Sequence, residues 1–213
     1  MSKLSDYYEQ IKDCNRCRLS EGRTNLVFGE GNENAGLMFV GEAPGANEDQ
    51  QGRPFVGAAG KLLNELLSQI GLKREDVYIA NIIKSRPPNN RDPLPDEIEA
   101  CKPYLMEQIK IIKPKIIATL GAHAMRTMLD KNVSISNVHG QTFQANSYVI
   151  MPIFHPAAAL YRRQTLDDLK QDFQNLKQVL EKDSGSDSRG QSPNSENGDS
   201  PQEEKQPEQG SLF

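Results

Sequence analysis

The chain has 213 residues, 36% of them hydrophobic, enough for one domain with a real core and not enough to require two. Its net charge of −4 is uneven: residues 183–213 carry seven acidic and two basic side chains, whereas residues 1–182 sum to +1, so a nucleic-acid partner is permitted but not indicated. The longest apolar runs, residues 35–40 and 148–154, are too short to span a bilayer, and three cysteines, two of them in Cys14-x-x-Cys17, do not make a secreted disulfide framework; a cytoplasmic chain with no signal peptide is expected.

Along the chain, strand-like and helix-like segments alternate. Residues 37–40 read as a short buried strand. Leu62, Leu63, Leu66, Leu67 and Ile70 then line one helical face that stops at Gly71. Residues 77–80 form the second predicted strand. A helix is predicted from Pro95, turning Ile98, Cys101, Leu105, Ile109 and Ile112 to one side before Pro114 ends it. Residues 115–120 form a third strand, 122–129 a short helix and 148–153 a fourth strand. Thr165-x-x-Asp168 reads as a capping box ahead of Leu169, Phe173, Leu176 and Leu180. Residues 183–208 contain no large apolar residue, cannot offset the entropy of ordering, and read as a disordered acidic linker after a 1–182 domain.

Strands separated by helices predict a mainly parallel sheet covered on both faces, with ligands held where loops leave the carboxyl ends of strands. That rim comprises residues 41–45, 81–91 and 155–161, bordered by 121–125. Gly29-Glu30-Gly31 is not a dinucleotide fingerprint, and no glycine-rich loop ends in Gly-Lys-Ser/Thr, which argues against a nucleotide-binding enzyme.

The rim segments carry an ordered set of motifs. Gly41-Glu42-Ala43-Pro44-Gly45 leads into Glu48-Asp49 and Gly52-Arg53-Pro54-Phe55-Val56-Gly57; Asn81-Ile82-Ile83-Lys84-Ser85-Arg86-Pro87-Pro88 follows with Asn90-Arg91, and His155-Pro156-Ala157-Ala158-Ala159 closes the series. Together, from Cys14 to about Leu180, they resemble the iron–sulfur-containing family 4 of uracil-DNA glycosylases. The resemblance implies a three-layer α/β/α sandwich around a four-stranded parallel sheet, matching the four predicted strands. It also implies a monofunctional DNA glycosylase that hydrolyses the N-glycosidic bond of uracil and leaves an abasic site, acting as a monomer. Two alternatives stand beside it: a relative acting on another deaminated base, and a non-catalytic uracil-DNA or iron–sulfur binding protein. Phe55, Asn81 and His155 occurring together argue against a degenerate pocket, and no basic histidine-containing insertion near Gly52 supports covalent trapping.

By the same resemblance Phe55 is the ring on which uracil stacks, among glycines that let backbone approach the base. Asn81 reads the Watson–Crick edge, since a carboxamide donates to O4 and accepts from N3–H at once, the opposite of what cytosine presents. His155 faces uracil O2 as a donor for charge that develops on the leaving base, a task a neutral imidazole can perform. Other families place a water-positioning aspartate where Ala43 stands, so Glu42 or backbone carbonyls take that task here. Gly41 and Gly45 belong to the substrate loop; Gly45 replaces a thymine-blocking tyrosine of other families, which moves thymine exclusion elsewhere, with Glu42 a candidate. Arg53, Arg91 and Arg162 are candidate phosphate contacts. The loop after His155 is expected in the minor groove, with its wedge either small at Ala159, where the family carries leucine, or shifted to Leu160.

The family holds a 4Fe-4S cluster on four cysteines. Cys14, Cys17 and Cys101 match three of them, and Ser85 stands at the remaining position. Three readings stay open: an oxygen-ligated and labile cluster, a 3Fe-4S cluster on three thiolates, or no cluster. Finally, Gln209, Leu212 and Phe213 resemble the short peptides with which bacterial repair proteins bind the sliding clamp, here on an acidic tether.

Overall fold

A computed structural model describes residues 2–145 and 147–186. Its strands are β1 (Glu30–Gly31), β2 (Leu37–Gly41), β3 (Tyr78–Asn81), β4 (Ile116–Leu120), β5 (Phe143–Ala145) and β6 (Tyr148–Ile153). The helices are α1 (Lys3–Ile11), α2 (Ala46–Gln51), α3 (Ala58–Gln69), α4 (Pro95–Ile112), α5 (Ala122–Leu129), α6 (Ile135–Val138), α7 (Pro156–Ala159) and α8 (Arg163–Ser186).

The sheet corrects the expectation of a four-stranded parallel sheet. It is six-stranded and mixed, in the order β1-β3-β2-β4-β6-β5. The β3-β2-β4-β6 pairings are parallel, while β1 joins β3 and β5 joins β6 antiparallel. The two edge strands escape a pattern-based reading for a physical reason. They have two and three residues, none of them buried, so they offer no apolar alternation to detect.

The inner strands alternate cleanly. Met38 and Val40 face a core built with Leu4 and Ile11 of α1, Leu105 and Ile109 of α4, and Ala124 of α5. Leu37 and Phe39 face the opposite core, built with Leu63, Leu66 and Leu67 of α3 and Leu169, Phe173 and Leu176 of α8. Because side chains on a strand alternate in direction, β2 feeds both layers and must be apolar throughout. Phe39 and Phe173 stack there with ring centroids 5.8 Å apart.

α3 stops where Gly71 takes φ +81°, a left-handed conformation that lets Leu72 N–H bond back to the Leu67 carbonyl at 3.0 Å. α8 differs from expectation at its start. It begins at Arg163, which makes Thr165 its third residue, and Asp168 accepts from the Gln164 side chain at 3.0 Å. α8 runs to Ser186; the remainder of the acidic stretch, with Gln209, Leu212 and Phe213, lies outside the described residues. Among the described residues no helix is long and apolar enough to cross a membrane.

Candidate active site

The carboxyl ends of β2, β3 and β6 meet at a cavity of about 330 Å³, whose walls include Glu42, Gly45, Phe55, Asn81, Arg91 and His155. A larger groove of about 750 Å³ runs beside α1 and is lined by Tyr8, Arg23 and Phe28 and, among the described residues, by none of the candidate site residues. The smaller cavity is therefore the chemically equipped one.

Its floor follows from strand register. Gly41 pairs with Asn81 across β2 and β3. A Cβ on Gly41 would overlap the Asn81 Oδ1 atom and come within 2.6 Å of Phe55 Cζ, so only glycine leaves room for both side chains. Asn81 is 2% exposed, and its Oδ1 has no hydrogen-bond partner among the described residues. A buried acceptor without a donor is costly, and its presence on a cavity wall points to a ligand that supplies the donor. The backbone beneath it is held from inside: Lys84 Nζ donates to the Asn81 carbonyl at 2.9 Å and to Gln108 Oε1 at 2.6 Å. Burial draws Lys84 down to about 8.

Phe55 adopts φ +51°, unusual for an aromatic residue. Several groups impose this conformation. The Glu48 carboxylate accepts from Val56 N–H at 2.9 Å and Gly57 N–H at 3.0 Å, and its other oxygen accepts from Gly45 N–H at 3.2 Å. Arg74 donates to the carbonyls of Pro54 and Phe55, the latter at 3.3 Å. Gly60 lies so close that any side chain would strike the Phe55 carbonyl. Glu48 and Arg74 thus brace the pocket without entering the sequence-based list of site residues. The signal for Glu48 was available: a glutamate three residues after Gly45, reaching back as in half a capping box. Arg74 had no comparable local signal.

His155 stacks on Phe55, with centroids 5.6 Å apart and planes at 29°. Its Nδ1 accepts from Ala157 N–H at 3.1 Å, which leaves the ring proton on Nε2. Burial holds its pKa down at about 4, against a weaker upward pull from Glu48, so the ring is neutral at physiological pH. Gly121, at the end of β4, backs it; a Cβ there would stand 3.1 Å from His155 Cβ.

Burial raises the Glu42 carboxyl pKa, His123 opposes this and Asp92 adds to it. One ligand atom from each of these three residues lies within 4.8 Å of the others, and His123 Nε2 is 3.3 Å from Asp92 Oδ2. His123, in the first turn of α5, and Asp92, on the loop before α4, stand in no shared sequence motif with Glu42. This group contains no sulfur and is distinct from the cysteines.

Of the candidate DNA contacts, two arginines have carboxylate partners. Arg53 grips Glu30 at 2.6 Å, and Arg91 grips Glu97 at 2.6 and 2.8 Å. Arg162 and Leu160 are exposed, whereas Ala159 is buried at 5%. Cys14, Cys17 and Cys101 gather around one core, the first two packing against the cluster that contains the third. Cys101 Sγ accepts from Lys84 N–H at 3.2 Å, and Ser85 Oγ accepts from Arg23 at 3.2 Å.

Residues 28–181 match the uracil DNA glycosylase superfamily. The chain is similar to the type-4 uracil-DNA glycosylase of Saccharolobus solfataricus, 48% identical over 189 residues that cover 84% of this chain and 88% of that one. It is also similar to that of Sulfurisphaera tokodaii, 47% identical over 188 residues covering 84% and 86%. The type-4 enzyme of Thermotoga maritima is 50% identical over 157 residues, covering 73% of this chain and 82% of its own length.

Proposed function

This chain belongs to the uracil DNA glycosylase superfamily, and we propose from that premise the way it recognises and releases uracil. It is a monofunctional uracil-DNA glycosylase that hydrolyses the N-glycosidic bond and leaves an abasic site. The observation that carries the recognition step is the unpartnered Asn81 Oδ1 on the cavity wall. Uracil N3–H satisfies it while the amide nitrogen donates to O4. Cytosine offers an acceptor and a donor in those places and leaves both groups unpaired.

Phe55 stacks on the base held between these groups. The His155 Nε2–H donates to O2 as negative charge accumulates on the departing base, with no proton to acquire first. Glu42, on the cavity wall, places a carboxylate near the positive charge that develops on the sugar and is the candidate for holding the attacking water. Among the described residues no lysine lines the cavity, which favours hydrolysis over an imine to the enzyme. Incubation with oligonucleotides carrying one uracil, scored for free uracil and alkali-labile sites, tests this reading; a covalent adduct trapped by borohydride would overturn the monofunctional assignment.

For the cofactor, the donor set fits an iron–sulfur cluster at three positions. Cys14, Cys17 and Cys101 supply soft thiolates around one core, with Lys84 N–H directed at one sulfur, and Ser85 supplies a harder oxygen. Such a group would crosslink the segment after α1 to the loop before α4 and supply no electrons to a hydrolysis. The proposed sliding-clamp partner rests on Gln209, Leu212 and Phe213 in the sequence alone. Titration of a peptide of residues 203–213 against a bacterial clamp tests it, and no binding would remove it.

A further inference from the structure

We propose that Tyr161 is a stacking residue that occupies the duplex beside the extruded uracil, so that this enzyme depends on an aromatic ring to act on double-stranded DNA. The inference rests on the glycosylase reading and adds a residue to it.

The segment after His155 divides sharply by exposure. Ala157 lines the uracil cavity. Ala159 is only 5% exposed and belongs to the core that α7 shares with α3 and α8, so it cannot reach DNA without leaving that core. Leu160 is 42% exposed, and Tyr161, the next residue, is 88% exposed. Among the described residues this is the most exposed large hydrophobic side chain. The other tyrosines are tied into the domain: Tyr7 and Tyr8 pack edge-on against Phe28 at 6.0 and 5.4 Å, Tyr104 packs against Tyr7, and Tyr78 and Tyr148 are buried. Tyr161 has no ring partner among the described residues.

The exposed ring therefore adds nothing visible to the packing of the domain, yet it lies four residues from a cavity wall. Turning a base out of a duplex leaves its two neighbours unstacked and its former partner unpaired. An aromatic face restores part of that stacking whatever the sequence, which an aliphatic side chain does less well. Arg162 and Arg163, both exposed, follow immediately and place cations where the strand's phosphates would pass. A single strand has no opposing base and less stacking to lose, so the ring should matter less there.

The test compares single-turnover uracil release from matched duplex and single-stranded oligonucleotides, using the full chain and Tyr161→Ala, Tyr161→Phe and Leu160→Ala variants. Tyr161→Ala is expected to lower the ratio of duplex to single-strand rate about 10- to 100-fold, the range expected for losing one base–aromatic stack. Tyr161→Phe should restore the ratio, because the ring and not the hydroxyl is required. With 2-aminopurine opposite uracil, the fluorescence rise on binding should shrink in Tyr161→Ala. An unchanged ratio in Tyr161→Ala, or the full loss appearing in Leu160→Ala alone, would overturn the proposal. A parent enzyme inactive on both substrates would overturn the glycosylase reading itself.

Discussion

At the scale of single residues, the site is defined by groups left incomplete. Among the described residues Asn81 buries an acceptor with no donor, and half-buried His155 carries an imidazole that desolvation keeps neutral. Both make sense when a base fills the cavity, and both residues stand in motifs that could be read directly from the sequence. His123 could not be so read, because its position beside Glu42 and Asp92 exists only after the start of α5 and two loops converge. The His155 arrangement gives a test with a definite sign. Its folded pKa of about 4 lies below the ordinary histidine value near 6.5. Between those values the unfolded chain binds a proton that the folded chain refuses, so this residue makes stability fall as pH drops through that window and contributes no change above it. His155→Ala should remove that component from a pH series of denaturation midpoints. It should also slow single-turnover uracil release by roughly 100-fold, about 3 kcal/mol for one aimed donor. A ring titrating near neutrality by NMR, or an unchanged cleavage rate, would contradict the neutral-donor role.

At the scale of elements, helices and inner strands were legible because each presents an apolar pattern at the correct period, as α3 and α4 do. β1 and β5 were not, since an edge of two or three half-exposed residues is specified by its neighbour's free backbone groups and not by its own side chains. The loops joining these elements depend on single carboxylates in the same non-local way. Glu48 binds three backbone N–H groups from two loops and thereby holds Phe55 at positive φ, a conformation costing about 1–3 kcal/mol that the surroundings must maintain. Glu48→Ala should lower folding stability by about 2–3 kcal/mol, given the strength of hydrogen bonds to charged acceptors. It should also weaken uracil-DNA binding more than it slows chemistry, because the stacking ring is displaced while His155 remains. Glu48→Gln keeps one acceptor and should recover part of both losses. Thermal melts and single-turnover concentration series distinguish this from a surface role, in which neither quantity would move.

At the scale of the whole molecule, the segment that carries Cys14 and Cys17 follows α1, which packs on α4, the helix that carries Cys101. Ser85 lies on the connection from β3 to α4, so the four positions join the start of the chain to one layer of the sandwich. Burial pushes the Cys101 thiol up to about 11, Lys84 opposes the shift, and neighbouring Cys17 and Cys14 add to it. An iron–sulfur cluster held here would take its ligands as thiolates, and a fourth thiolate would hold it more firmly than three. Ser85 offers a harder oxygen that already accepts from Arg23. Ser85→Cys should therefore raise iron and sulfide per chain after anaerobic preparation and prolong visible absorbance in air, while glycosylase rate stays within about twofold because no redox step is involved. If the group acts as a crosslink, removing iron should lower Tm by about 5–10 °C in Ser85→Cys, the consequence of losing one long-loop constraint in a domain of this size. Metal analysis and paired melts decide the matter. Parent and variant both free of iron after anaerobic reconstitution would remove the cluster from this chain and leave Cys14, Cys17 and Cys101 as packing thiols.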